Sequence, residues 1–329
     1  METIEVVSPT RVDLAGGTLD CWPLYNLVAP HCVTINFSLG LCSQVRLIPH
    51  AGPEIEVNLT DLNCKQTFAS YSEFMAFGDQ RFDIIRGIIE YVRPPSGFRL
   101  DTKSESPVGA GLGGSSSLTV SILKAFGKWI GRSWATLEIV EVAHNLESKL
   151  INSPTGTQDY FPAVESGLHF IHYTADGPRL ETKLIPKSLF EEHMTLVYTG
   201  VPHHSGLNNW QVIKAVIEGD RDVLKSLREI GRVSHAMMKS ILQGDWQDIP
   251  QLFDEEFRWR VALTPFFSSP RIEELKALVL SAGAQSVKIC GAGGGGCVAV
   301  WSQPSKKGKV DSACLKSGFQ ILPLNLHKI

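Results

Sequence analysis

The chain has 329 residues, more than one hydrophobic core usually supports, so two domains are expected. Apolar residues make up 43% and charged residues 20%, the balance of a globular enzyme, and a net charge of −3 excludes general attraction to nucleic acid or acidic membrane surfaces. Seven cysteines, an odd number without a C-x-x-C pair, read as reduced thiols rather than a disulfide framework. No apolar run approaches the roughly eighteen residues of a membrane span, and Met1 leads into a strand-like segment without a basic-then-apolar leader. The expected compartment is the cytoplasm.

In chain order, Ile4 to Val7, Val33 to Leu41, Gln44 to Ile48 and Ile55 to Leu59 have the composition of strands. After the first comes Ser8-Pro-Thr-Arg-Val-Asp-Leu-Ala-Gly-Gly-Thr-Leu-Asp20, read as an extended start that passes into a loop. Its cation Arg11, glycines Gly16 and Gly17 and acid Asp20 suit a hydroxyl-rich or phosphorylated ligand, and equally an ordinary strand and turn.

Phe98, Leu100 and Thr102 alternate with Arg99, Asp101 and Lys103, which predicts a strand. Pro107-Val-Gly-Ala-Gly-Leu-Gly-Gly-Ser-Ser-Ser117 follows and runs into a helix whose Leu118, Ile122, Phe126 and Ile130 share one face. Glycines let backbone N–H groups approach an anion, and the helix N-terminus adds partial positive charge. The loop matches G-x-G-x-x-G at Gly109, Gly111 and Gly114, but the dinucleotide fold needs a second strand after the helix. Thr136 to Leu150 reads as another helix instead, and no G-x-x-x-x-G-K-[ST] occurs. A phosphate cradle of another kind remains, beside a purely structural loop.

Glu147 falls on the apolar stripe of that second helix with Val140, Ala143 and Leu150. A carboxylate there needs a partner: a Lys or Arg at the rim, or a hard cation such as Mg²⁺. Asp159 lies in Ser153-Pro-Thr-Gly-Thr-Gln-Asp-Tyr160, where an aspartate can simply form a turn. Gly167 to Tyr173 returns to strand, and the polar stretch 175–192, with Pro178 and Pro186, is expected to connect two domains.

Met194 to Tyr198 reads as a strand, followed by mostly helical sequence to about residue 264. His203-His204 lacks metal-ligand spacing. A helix is predicted from the cap Ser269, with Pro270 first, to Gly283. Gly291-Ala-Gly-Gly-Gly-Gly296 joins two strand-like runs, Ser286 to Cys290 and Cys297 to Trp301. A plain hairpin needs only one or two glycines, so backbone approach to something else is expected.

These segments, in this order, resemble the three motifs of the GHMP small-molecule kinases: the Ser8–Asp20 run, the Pro107–Ser117 run and Lys288-Ile-Cys-Gly-Ala-Gly-Gly-Gly-Gly-Cys297. Ala-Gly-Gly in the first, Gly-x-Gln-Asp before the catalytic position and the third motif's glycines are most similar to the sugar kinases of the heptose 7-phosphate type. Galactokinases share the arginine and the step of twelve residues matched by Glu147 and Asp159. Mevalonate-type kinases usually carry Lys at the place of Arg11 and Glu-His after the glycine matching Gly16, and this chain has neither. Gly114 replaces the second motif's first serine, Leu19 a usual threonine, and His203 falls where a basic residue is common.

The resemblance implies a two-domain α+β kinase: an N-terminal mixed α/β ATP-binding domain over residues 1–186 and a C-terminal ferredoxin-like domain over 187–329, with the active site in the cleft. It implies ATP and Mg²⁺ as cofactors and transfer of a phosphoryl group to a small sugar or sugar phosphate of hexose or heptose type. Asp159 would be the base, with Arg11 keeping its carboxylate ionised. Pro107, Gly109, Ala110, Gly111, Leu112, Gly113, Gly114, Ser115 and Ser116 would wrap the triphosphate, and Glu147 with Ser115 or Ser116 would hold Mg²⁺. Arg11, Gly16, Gly17, Asp20, Gly293 and Gly294 would contact the acceptor. A homodimer is compatible with this reading, and neither nucleic acid nor membrane is an expected partner. A kinase for a non-sugar alcohol such as mevalonate or homoserine, or a catalytically silent nucleotide-binding regulator, are the alternatives.

Overall fold

In the computed structural model, which describes residues 2–28, 32–184, 186–202 and 207–326, the first strand, β1, runs Ile4–Ala15. Alternation is visible only at its start, because every residue from Ser8 to Ala15 is buried and a strand covered on both faces loses its period-two signature. Arg11 therefore sits inside a strand, and the extended start expected at Ser8 runs on to Ala15. The two strands expected between Val33 and Ile48 are one, β2 (Val33–Pro49). Pro9 lies opposite Cys42 but Thr10 opposite Leu39, so the apparent break at Gly40 and Leu41 is a bulge that the pairing with β1 accommodates.

Five more strands complete this sheet: β3 (Ile55–Leu59), β4 (Cys64–Phe68), β5 (Phe98–Ser104), β6 (Leu168–Thr174) and β7 (Gly177–Lys183). The order is β4-β3-β5-β2-β6-β7, with β1 also paired to β2. β7 takes up part of the segment expected to be a bare connection. Among the described residues it pairs only with β6 and buries no residue fully, so an edge position tolerates its Pro178 and leaves no apolar pattern to read.

The second sheet holds β8 (Met194–Tyr198), β9 (Ala284–Ile289), β10 (Cys297–Ser302) and β11 (Gln320–Leu322) in the antiparallel order β11-β8-β10-β9. Helices separate β8 from β9 and β10 from β11, giving the expected ferredoxin-like arrangement. The helix Pro270–Ala282 keeps its predicted ends: Ser269 accepts a hydrogen bond from the Ile272 N–H, and Gly283 closes it with φ +106°. Among the described residues no helix is long and apolar enough to cross a membrane.

The helix Gly114–Ile130 lies across β1 and β2 and buries Ile122 and Phe126, while the helix Thr136–Ile151 packs beside it. From the second half, the paired helices Arg221–Gln243 and Ile249–Leu263 cover β1 and β9. One buried cluster mixes Val12 and Ile35 with Leu196, Phe253 and Trp301, so apolar packing holds the two sheets together. This shared core fixes the position of the glycine loops relative to each other.

Candidate active site

The loop after β5 ends at Gly113, which caps the helix Gly114–Ile130 with φ +73° and contributes no side-chain hydrogen bond. The first N–H groups of that helix thus have no side-chain cap, an arrangement that suits an anion. A β-carbon on Gly113 would stand 3.3 Å from the Asp159 side chain and 3.5 Å from Cγ of Arg11. Only glycine combines this backbone with this proximity. A cleft of about 630 Å³ opens in front, lined by every residue from Ser106 to Ser116, by Glu147 and Asp159, and by Arg11 and Asp20. Arg260, Gly291 and Ala292 close it from the second half.

Arg11 ties the three glycine-containing segments together. Its Nε and Nη2 donate to the two carboxylate oxygens of Asp159, both at 2.8 Å. Nη1 donates to the Gly111 carbonyl at 2.5 Å and to the Cys290 carbonyl at 2.6 Å, at the foot of the second glycine cluster. Main-chain bonds brace the same place: Arg11 N–H to Leu112 O and Cys297 N–H to Ala110 O. Burial opposes the charge on Arg11, but Asp159 and Asp13 outweigh it and raise its pKa above the ordinary value. The Arg11 side chain is 4% exposed and that of Asp159 is 26% exposed, so the carboxylate faces the cleft and the guanidinium backs it.

Glu147 meets hydroxyls rather than a cation. Ser116 Oγ donates to its Oε2 at 3.2 Å, and the Tyr160 hydroxyl donates to the same oxygen in a short bond. Among the described residues no Lys or Arg forms an ion pair with it, which removes the rim pairing weighed from the sequence. Burial raises its pKa, and its hydroxyl partners pull the other way. Asp20 is buried and accepts the Gln158 N–H at 3.0 Å. Burial lifts its pKa to about 6, against the hydrogen bond from Gln158 and with help from Asp159 and Asp13.

Four glycines expected at the acceptor do not line the cleft. Gly16 lies against the Val33 carbonyl, Gly17 against the Arg260 guanidinium, and Gly293 and Gly294 against the backbone of Phe267 and Phe266. They allow segments to pack closely behind the site; Gly291 and Ala292 form the cleft wall instead. His203 and His204 lie outside the described residues.

The sequence reading missed a buried charge cluster behind Asp20. Arg260 is 3.3 Å from Asp13 and 2.8 Å from Glu256, and Lys288 is 3.2 Å from Asp13 and 3.7 Å from Glu256. A signal existed: Glu256 and Arg260, four residues apart, share a helix stripe with Phe253 and Phe257.

Family models match in order along the chain: the GHMP kinases N-terminal domain over residues 83–167 and the GHMP kinases C-terminal domain over residues 237–319. A D-glycero-alpha-D-manno-heptose 7-phosphate kinase of Campylobacter jejuni is 27% identical over 318 residues, covering 93% of this chain and 91% of that protein. A mevalonate kinase of Thermococcus gammatolerans is 25% identical over 287 residues, 80% of each chain. The crystal structure of a D-glycero-D-manno-heptose 1-phosphate kinase from Bacteriodes thetaiotaomicron superposes with a TM-score of 0.73 at 21% identity, covering 100% of this chain and 99% of that one. With both family parts in sequence, the kinase fold complete and the three motifs meeting at one cleft, the chain belongs to the GHMP kinases and is a small-molecule kinase.

Proposed function

We propose that this cleft transfers the γ-phosphoryl group of ATP to a hydroxyl of a sugar or sugar phosphate of hexose or heptose type. The observation that carries the reading is Arg11, which grips Asp159 with one edge and the Gly111 carbonyl of the phosphate loop with the other. One residue thereby sets the distance between a base and a triphosphate site, and phosphoryl transfer depends mostly on such positioning.

In this reading the acceptor oxygen attacks the γ-phosphorus, its proton passes to the Asp159 carboxylate, and the bond to the β-phosphate oxygen breaks to release ADP. The loop from Pro107 to Ser116 and the N-terminus of the following helix hold the phosphates. Glu147 with Ser116 or Ser115 fits Mg²⁺, which takes oxygen donors and keeps ligand positions for phosphates. When bound, the ion neutralises phosphate charge. Asp20, a buried acceptor-only group at the cleft wall, can bind two neighbouring hydroxyls.

ATP turnover over a panel of aldoses and sugar phosphates, with mevalonate and homoserine alongside, tests the reading. Turnover with a sugar member supports it. Turnover with mevalonate or homoserine alone replaces the acceptor, and no ATP consumption with any sugar member refutes the sugar reading.

A further inference from the structure

Arg260 reaches from the second half of the chain into the turn that carries Asp20. Its Nη1 donates to Thr18 Oγ1 at 3.0 Å, and its Nη2 to Asp13 Oδ2 at 3.3 Å and Glu256 Oε1 at 2.8 Å. Lys288 balances the two acids from the other side, and all four charged residues are buried. Buried charge clusters are an inefficient source of stability, since well-packed apolar residues often do as well or better. The turn itself offers another role for this one.

Thr18 has φ +77°, a left-handed conformation that a β-branched side chain adopts only under strain. Such a residue persists where its surroundings over-determine it, and the bond to Arg260 supplies that constraint. Leu19 N–H to Gly16 O at 3.1 Å and Cys21 N–H to Thr18 O at 3.2 Å close the turn, with Asp20 between them facing the cleft. Gly17 completes the fit. A β-carbon there would come within 2.9 Å of Arg260 Nη1 and 2.6 Å of Asp13 Oδ2, so the missing side chain is the space the guanidinium occupies.

We infer that Arg260 is a positioning residue, holding the turn from Gly16 to Cys21 in the strained form that presents Asp20 to the acceptor. The inference rests on the proposed reading of Asp20 as an acceptor ligand. Arg260→Lys keeps the charge balance but loses the fork that spans Thr18 and the acids. Gly17→Ala leaves the backbone allowed and pushes the guanidinium away.

Hydrogen exchange on the full chain needs no ligand. Both variants are expected to speed exchange at the Leu19 and Cys21 amides by about tenfold or more, with the interiors of β1 and the helix Ile249–Leu263 unchanged. With D-glycero-D-manno-heptose 7-phosphate as the probe, both should raise the acceptor KM by about tenfold while kcat and the KM for ATP stay within about twofold. The double variant should be no worse than either single one. Unchanged exchange at Leu19 and Cys21, or exchange raised equally throughout the fold, overturns the role. Asp20→Ala separates the two readings. If it leaves the acceptor KM unmoved, or the probe is not turned over, the acceptor half fails while exchange still decides whether Arg260 holds the turn.

Discussion

The Arg11 guanidinium holds the Asp159 carboxylate through two parallel hydrogen bonds of 2.8 Å, across a sequence separation of 148 residues. A two-point grip between planar groups fixes orientation as well as distance. Because Arg11 is anchored to the Gly111 and Cys290 carbonyls as well, Asp159 cannot rotate away from the phosphate loop without giving up both bonds to a fixed guanidinium. That restraint suits a base that must meet a hydroxyl at one point in the cleft.

Asp159→Asn keeps the size of the side chain and an acceptor for Arg11 while removing the capacity to take a proton. It is expected to lower kcat by about a hundredfold or more with substrate binding nearly normal. Steady-state kinetics combined with nucleotide titration checks this, and a variant that keeps most of its turnover would refute the role of base.

Gly113→Val should cut ATP affinity at least about tenfold, or about 1.4 kcal/mol. The substitution strains a backbone at φ +73° and drives a branched side chain toward Asp159 and Arg11, at the helix end proposed to face the phosphates. Calorimetric titration with ATP reads the effect directly. An unchanged isotherm would remove the loop from the nucleotide site.

Much of this was legible in the sequence where packing is one-sided. The helix Pro270–Ala282 with its cap and the strand β5 show their periodicity because one face is wet. β1 hid its true length for the opposite reason, since alternation disappears where both faces are buried, and β2 looked like two strands because a bulge falls at Gly40 and Leu41. Glu147 announced itself as a carboxylate on an apolar stripe, and the same logic applied to Glu256 and Arg260 would have exposed the buried cluster. Its partner Asp13 could not be found that way. Its link to Lys288 and Arg260 is made by tertiary folding across the whole chain. Gly16 and Gly17 misled because a missing side chain can make room for protein as readily as for ligand.

Glu147→Gln tests the proposed metal ligand. The amide still accepts the Ser116 and Tyr160 hydroxyls, and among the described residues no ion pair is broken, so thermal stability should change little. What is lost is the negative charge that a hard cation requires. The magnesium concentration for half-maximal activity should rise about tenfold or more, and Mn²⁺ binding followed by electron paramagnetic resonance in the presence of ADP should weaken in parallel. A variant that melts many degrees lower with normal metal dependence would make Glu147 a structural residue.

Asp20 is expected to make the site pH-sensitive, and the direction follows from its shift. Burial is the main cause, reinforced by Asp159 and Asp13, and it lifts the folded-state pKa from 3.8 to about 6 despite the Gln158 hydrogen bond. A carboxyl whose pKa is raised by folding favours the folded state while protonated, an advantage complete below the unfolded pKa and lost as pH rises through the folded one. The ionised group therefore costs the fold on the order of 3 kcal/mol at pH 7 relative to acid conditions. Asp20→Asn, which cannot ionise, should gain stability relative to the parent as pH rises from 4 to 7, and melting temperatures across that range check the sign. Binding runs the other way. Only the ionised carboxylate can accept hydrogen bonds from two hydroxyls without donating, so the parent's kcat/KM for a sugar acceptor should fall as pH drops below about 6. At pH 7, Asp20→Ala should raise KM far more than it lowers kcat, because hydroxyls left unpaired weaken ground and transition states alike. A stability gain in the asparagine variant with no loss of acceptor affinity in either variant would leave Asp20 a strained wall residue and move acceptor recognition elsewhere in the cleft.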